Sequence, residues 1–145
     1  MELNKRVDSP IGKVWEAWTD TGIITRWFSP HANIQPELGG GYELFFDPED
    51  HSHMSTIGCV ITKIEAPSSL HFQWKGPDQF DDIMNHPEPQ TRVEVSFSEE
   101  AGKTGVTVRH LGWKKSGKWG EAREWHVKAW KGVLEGLDAY MSGSS

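Results

Sequence analysis

Three polar side chains stand where apolar ones belong. His110 takes an inward place in the alternating run Val106, Val108, His110, and Arg123 and His126 fall on the apolar side of the last long periodic stretch. Buried without partners, such groups would be costly. Converging on an apolar pocket, they are what a small-molecule site looks like. Imidazole also serves as a general acid or base near neutral pH when a substrate proton is within reach. A second cluster, Asp47, Glu49, Asp50, His51 and His53, has His-x-His spacing that puts both imidazoles on one side of an extended chain. Zinc accepts those ligand types, but no closed set of four is evident and the stretch reads as an exposed polar turn, so no metal site is expected. His86 with Asp81, Asp82 and Glu88 reads the same way. Cys59 has alternating neighbours and no cationic cluster beside it in sequence, which suits a small buried hydrophobe better than a nucleophile. Gly39-Gly40-Gly41 is followed by neither Lys-Ser/Thr nor a helix, so it is a turn and not a phosphate cradle. There is no Gly-x-Ser-x-Gly elbow, and Glu16, Asp20 and Glu37 gain no geometry from their spacing. No catalytic residue and no cofactor are assigned on these grounds.

The elements that must position these groups follow from periodicity. From Lys118 to Met141, Trp119, Arg123, His126, Trp130, Val133, Leu134, Leu137 and Met141 share one side at helical spacing, while Glu121, Glu124, Lys128, Lys131, Glu135 and Asp138 share the other. So wide an apolar stripe needs a broad partner surface, which the alternating segments between Leu3 and Leu111 supply. Leu3 to Val7 is an opening strand. Ser9-Pro10 starts a helix with Ser as cap and Pro in the first turn, and Ile11, Val14, Trp15 and Trp18 form its apolar face. Thr19-Asp20-Thr21 caps a second short helix that ends near Trp27-Phe28. Strands are then expected at 33–36, at Tyr42, Leu44 and Phe46 with that face inward, over Ser55 to Glu65, and at Leu70, Phe72 and Trp74. Gly76 to Gln90, with three prolines and several acids, is a long excursion of the kind that carries function. Two further strands around Ser98 to Lys103 make a hairpin. The expected fold class is α+β: two short helices after the first strand, about six more antiparallel strands, and one long helix against a curved sheet.

Composition bounds the partners. At 145 residues, 36% hydrophobic and 25% charged, the chain suits one domain over residues 1–145 with a core that needs no disulfide. The net charge of −6 argues against a nucleic-acid partner, because phosphate binding rests on Lys and Arg. No stretch approaches the roughly 20 apolar residues of a membrane span, and no leader is visible, so the expected setting is cytoplasmic, without a membrane, as a monomer or weak homodimer. Eight tryptophans are unusual, and each brings bulk together with an N–H that wants a partner.

Six stretches carry a resemblance: Trp15 to Phe28 (WEAWTDTGIITRWF), Gly39-Gly40, Gly58 to Glu65 (GCVITKIE), Leu70 to Trp74 (LHFQW), Thr104 to His110 (TGVTVRH), and Trp130 to Leu134 (WKGVL) through Leu137 and Tyr140. In this order, over nearly the whole chain, they resemble the SRPBCC superfamily, the START and birch-pollen-allergen fold. The branch is similar to stand-alone domains homologous to the C-terminal part of activators of the heat-shock protein 90 ATPase. The resemblance implies a helix-grip fold, a seven-stranded antiparallel sheet wrapped around the C-terminal helix with a cavity between. It also implies that fold and function are loosely coupled, since members bind lipids, sterols and other apolar molecules, act as enzymes, or serve as co-chaperones in the stress response. The full-length activators carry a further N-terminal domain with no counterpart before the first strand here, which ranks a direct co-chaperone role below binding.

The expected cavity lining is Trp27 and Phe28 at the mouth, Tyr42, Leu44, Phe46, Phe72, Trp74, Val95, Val108 and His110 on the sheet, and Trp119, Arg123, His126 and Trp130 on the helix. Close packing would fill much of that list instead. The first functional expectation is a protein that holds a hydrophobic or aromatic small molecule and performs no chemistry. The second is a cyclase- or hydrolase-like enzyme using His110 or His126. The third is an interaction module touching a chaperone through the acidic loop Pro77 to Pro89.

Overall fold

The computed structural model describes residues 1–144. The elements are β1 (Glu2–Val7), α1 (Ile11–Thr19), α2 (Thr21–Ile24), β2 (His31–Ile34), β3 (Tyr42–Phe45), β4 (Ile61–Glu65), β5 (Ser69–Trp74), α3 (Asp81–Met84), β6 (Thr91–Glu100), β7 (Lys103–Leu111) and α4 (Lys118–Ala139). The class and order match the expectation. The long helix lies on the sheet through Trp119, Ala122, His126, Trp130, Leu134 and Leu137, all buried.

The seven strands do not form one sheet. Five run β1-β7-β6-β5-β4, and β2 and β3 form a separate pair. The pair is joined to the rest by single bridges at Gly41–Val60 and Phe45–Ser55 and by scattered backbone hydrogen bonds, such as the Tyr42 N–H to the Cys59 carbonyl at 2.9 Å. The expected strand over Ser55 to Glu65 therefore shrinks to β4. Its first half is diverted by local bonding: Thr56 Oγ1 accepts from the Leu44 N–H at 2.9 Å and donates to the Tyr42 carbonyl at 3.0 Å. A side chain thus replaces the ladder there. Gly58 follows at φ +86°, a conformation a side chain would strain, and its N–H is taken by the Glu43 carboxylate at 2.7 Å.

Two other local expectations change. Ser9 does not cap α1; the cap position is Pro10, and the Ile11 N–H is instead met by the Glu99 carboxylate of β6 at 2.7 Å. Asp20 does cap α2, accepting from the Ile23 N–H at 3.0 Å. The excursion after β5 is folded inward rather than loose. Phe80 and Met84 are buried, and the Asn85 amide clamps Gly76 through both its N–H and its carbonyl, at 2.8 and 3.1 Å.

Candidate ligand cleft under the last helix

Much of the expected lining is solid core. Tyr42, Leu44, Phe72, Val95 and Val108 are fully buried, with the Tyr42 and Phe72 rings stacked 4.0 Å apart. The Tyr42 hydroxyl donates to the Trp18 carbonyl at 2.7 Å, so even its polar end is spent inside. Trp27 donates its indole N–H to the Ala17 carbonyl and packs on Trp18. Trp119 is buried against Trp113 and does not line the cleft. Arg123 is exposed, which corrects its inward placement. It stands four residues from Trp119, but the inward side chain of that turn is Ala122, too small to mark the helix phase in the sequence.

Open volume survives at one end, between α4, the end of β5 and the β3–β4 connection. It measures about 180 Å³ and is walled by Phe28, Phe46, Trp74, Trp125, His126, Ala129, Trp130 and Val133, with Met54, Ser55, Lys75, Gly76 and Pro77 along the rim. The rings brace one another: Trp74 lies 5.1 Å from Trp130, and Phe28 lies 5.7 Å from Trp130 and 6.1 Å from Phe46. Edge-on and tilted contacts of this kind make a rigid apolar wall. Of the residues expected in the lining, the cleft gathers Phe28, Phe46, Trp74, His126 and Trp130. Phe46 is there for an unexpected reason: β3 ends at Phe45, which turns in to stack on His51, and Phe46 swings to the mouth at 36% exposure. Met54, Ser55, Lys75, Gly76, Pro77, Trp125, Ala129 and Val133 were missed. Only Val133 and Ala129 had a signal, about two turns and one turn along the helix from His126.

The two core histidines, His126 in the wall and His110 behind it, are fully satisfied. The Trp130 indole donates to His110 Nδ1 at 3.0 Å, and His110 Nε2 pairs with the Thr91 hydroxyl at 2.8 Å. The Trp74 indole donates to His126 Nε2 at 3.3 Å, and His126 Nδ1 donates to the Ala122 carbonyl at 2.8 Å. Each ring accepts one indole proton, which fixes it in a neutral tautomer. Burial pushes His110 well below the usual imidazole range, helped by the nearby His126, and brings His126 down to about 4. Cys59 is likewise buried and its thiol is pushed up to about 12, which removes thiolate chemistry at neutral pH.

At the mouth the chemistry reverses. His53 meets Asp78 at 2.7 Å and Asp47 at 2.8 Å, tying the β3–β4 connection to the segment after β5. Those carboxylates raise its pKa above the ordinary imidazole value. Among the described residues, no three His, Cys, Asp or Glu side chains converge so as to hold a metal ion, and no helix is long and apolar enough to cross a membrane.

A family model described as activator of Hsp90 ATPase homolog 1-like protein matches residues 8–142. The chain belongs to this family. No curated protein matches it. Among solved structures, a Mesorhizobium loti protein is similar with TM-score 0.77 and 15% identity, covering 100% of this chain and 98% of the other. An HSP90 activator from Plasmodium falciparum is similar with TM-score 0.73 and 20% identity, over 98% and 95% of the two chains. An AHSA1-like protein from Rhizobium etli is similar with TM-score 0.71 and 20% identity, over 99% and 82%. At these identities the likeness concerns the fold, and the Hsp90-activator family supplies no residue roles for this cleft. What a member does on this scaffold has to be argued from its own site.

Proposed function

We propose that this protein binds a small aromatic or otherwise apolar molecule in the cleft beneath α4 and performs no covalent chemistry on it. The observation that carries the reading is a preformed opening walled by five aromatic rings, Phe28, Phe46, Trp74, Trp125 and Trp130, at one end of an otherwise filled core. Apolar concavities of this kind, largely preformed, are the usual form of a ligand site. Size narrows the class. Drug-sized pockets run to about 300 Å³ and above, whereas a cavity of roughly 150 Å³ takes a benzene ring. At about 180 Å³, the cleft fits one ring with a short substituent and is too small for a sterol or a folded acyl chain.

The engagement of both nitrogens of His110 and His126 inside the protein favours binding over acid–base catalysis, because neither imidazole offers a nitrogen to a molecule in the cleft. A second reading, contact with a chaperone, draws on the family and on two exposed apolar side chains, Trp125 of the cleft wall and Ile57 nearby.

Tryptophan fluorescence and calorimetry test the first reading with single-ring aromatics, fatty acids and sterols. Single-ring compounds should bind and sterols should not. Ala129→Phe, which fills the cleft from the helix side, should weaken binding at least about tenfold, the loss of one ring's burial. Equal affinity in the variant, or silence across the whole panel, would defeat the proposal.

A further inference from the structure

The apolar cleft does not end at its rim. A polar groove of about 460 Å³ adjoins it and shares Met54, Ser55 and Lys75 with it. A molecule seated in the cleft therefore has a second compartment of opposite character within reach.

The charged and polar groups of that groove are nearly all committed to one another. His53 holds Asp78, at 2.7 Å. Asp81 accepts from Asn85 at 2.8 Å and pairs with His86 at 2.9 Å, while the Asn85 amide also clamps Gly76. Ser52 donates to Asp50 at 2.6 Å, and Ser55 to the His51 carbonyl at 3.0 Å. Glu43, on the Gly58 side of the lysine, is occupied by the Gly58 N–H at 2.7 Å and by Asn33 at 3.1 Å. Among the described residues, Lys75 is the charged side chain of this groove that makes neither an ion pair nor a hydrogen bond. It is half-buried and follows directly on Trp74, whose ring forms the cleft wall. After Asn85 and His86, Lys75 helps hold the Asp81 carboxyl below the ordinary carboxylate range, but no acceptor among the described residues takes its N–H groups, so its three donors are open to a ligand.

We infer that the ligand is amphipathic and anionic: an aryl or arylalkyl carboxylate whose ring fills the cleft and whose carboxylate meets Lys75 where the two compartments join. The inference rests on the binding role proposed above and adds the ligand's charge. A cationic ligand is the competing class, because aromatic walls attract quaternary ammonium groups. Lys75 on the rim opposes it, since it would place two like charges side by side at a partly desolvated site. The acids of the groove do not tip the balance toward a cation, because their oxygens already face His53, His86 and Asn85.

The test compares three probes that share one skeleton, phenylpropionate, phenylpropanamide and phenylpropylamine, titrated calorimetrically into the wild type and Lys75→Met. Methionine keeps the length of the side chain and removes its charge, and thermal melting confirms that the variant is folded. In the wild type the acid should bind about tenfold tighter than the amide, as one charge-assisted hydrogen bond provides, with the amine weakest. In Lys75→Met that preference should fall to about twofold or less while the amide's affinity stays the same. If the acid keeps its advantage in the variant, or the amine binds best in the wild type, the charge assignment is overturned and the apolar cleft stands. If no probe binds the wild type while Ala129→Phe is equally silent, the cleft reading fails and this inference with it.

Discussion

Three imidazoles around the cleft, His110, His126 and His53, fall into two groups that obey opposite rules. His110 on β7 and His126 on α4 meet in the core among indoles, a threonine hydroxyl and a backbone carbonyl. His53 sits at the mouth between Asp47 and Asp78. The inner pair has neutral partners in a dry setting, so the uncharged form is held and the pKa falls. The outer one has carboxylate partners in water, so the charged form is held and the pKa rises. The contrast shows why the cleft wall and the cleft mouth differ in kind. The wall is an uncharged lattice in which the Trp74 and Trp130 indoles are spent on the two imidazoles, and the mouth is a set of titratable ties between two loops.

The largest expected effect strikes the inner lattice. Trp130→Ala removes a fully buried ring and also leaves His110 Nδ1 without its donor. The expected loss is about 3–5 kcal/mol of unfolding free energy, seen as a shifted denaturant midpoint. A loss under about 1 kcal/mol would mean that the indole–imidazole lattice is not what holds the helix down.

Acid should act next. The folded-state pKa of His126 is about 4, below the ordinary 6.5, so the unfolded chain takes up its proton first as pH falls. The stability tied to the neutral ring is therefore complete above about 6.5 and is lost as pH falls toward about 4. A drop of roughly 2.5 units corresponds to about 3 kcal/mol, with His110 adding in the same direction. Urea midpoints measured between pH 7 and 4.5 should decline across that window and decline less steeply in His126→Gln, which keeps only the His110 share. A flat profile in the wild type would contradict the neutral assignment.

The sequence made this contrast half visible. Strand alternation and the helical stripe were enough to bring His110 and His126 inward, because period 2 and period 3.6 depend only on where apolar residues recur. They were not enough for Arg123, whose turn faces inward through the inconspicuous Ala122. Nor did they foresee Phe45 and Phe46 exchanging sides, since a strand end one residue earlier flips every following side chain. The cleft rim was hidden for a different reason. Met54 belongs to one segment and Lys75 and Pro77 to another, brought together by Thr56 diverting the chain before β4 and by Asn85 tucking the loop after β5. Side-chain-to-backbone bonds of that sort leave no periodic trace.

The smallest effect, and the one that sharpens the contrast most, belongs to His53. Its raised pKa means that its contribution is complete below about 6.5 and is lost as pH rises through the higher folded-state value, the reverse of the inner pair. Its partners Asp47 and Asp50 are held below the ordinary carboxylate range, chiefly by the Glu49 N–H for Asp47 and the Ser52 hydroxyl for Asp50, so their share is lost only as pH falls through their own lowered values. Between those limits the loop carrying Met54 is tied to the segment carrying Pro77, and both residues border the cleft. Resolved imidazole resonances should show His53 titrating above 6.5 and the inner pair silent down to about 5. In Asp78→Asn, which removes the largest cause of the shift, the His53 midpoint should move back toward 6.5 while overall stability barely changes, because exposed ion pairs contribute little. The same variant should release a bound probe faster without altering the wall that holds its ring. Were Asp78→Asn to leave the His53 midpoint in place, the carboxylate tie across the mouth would be a surface coincidence, and the distinction between a fixed wall and a titratable mouth would rest on the inner pair alone.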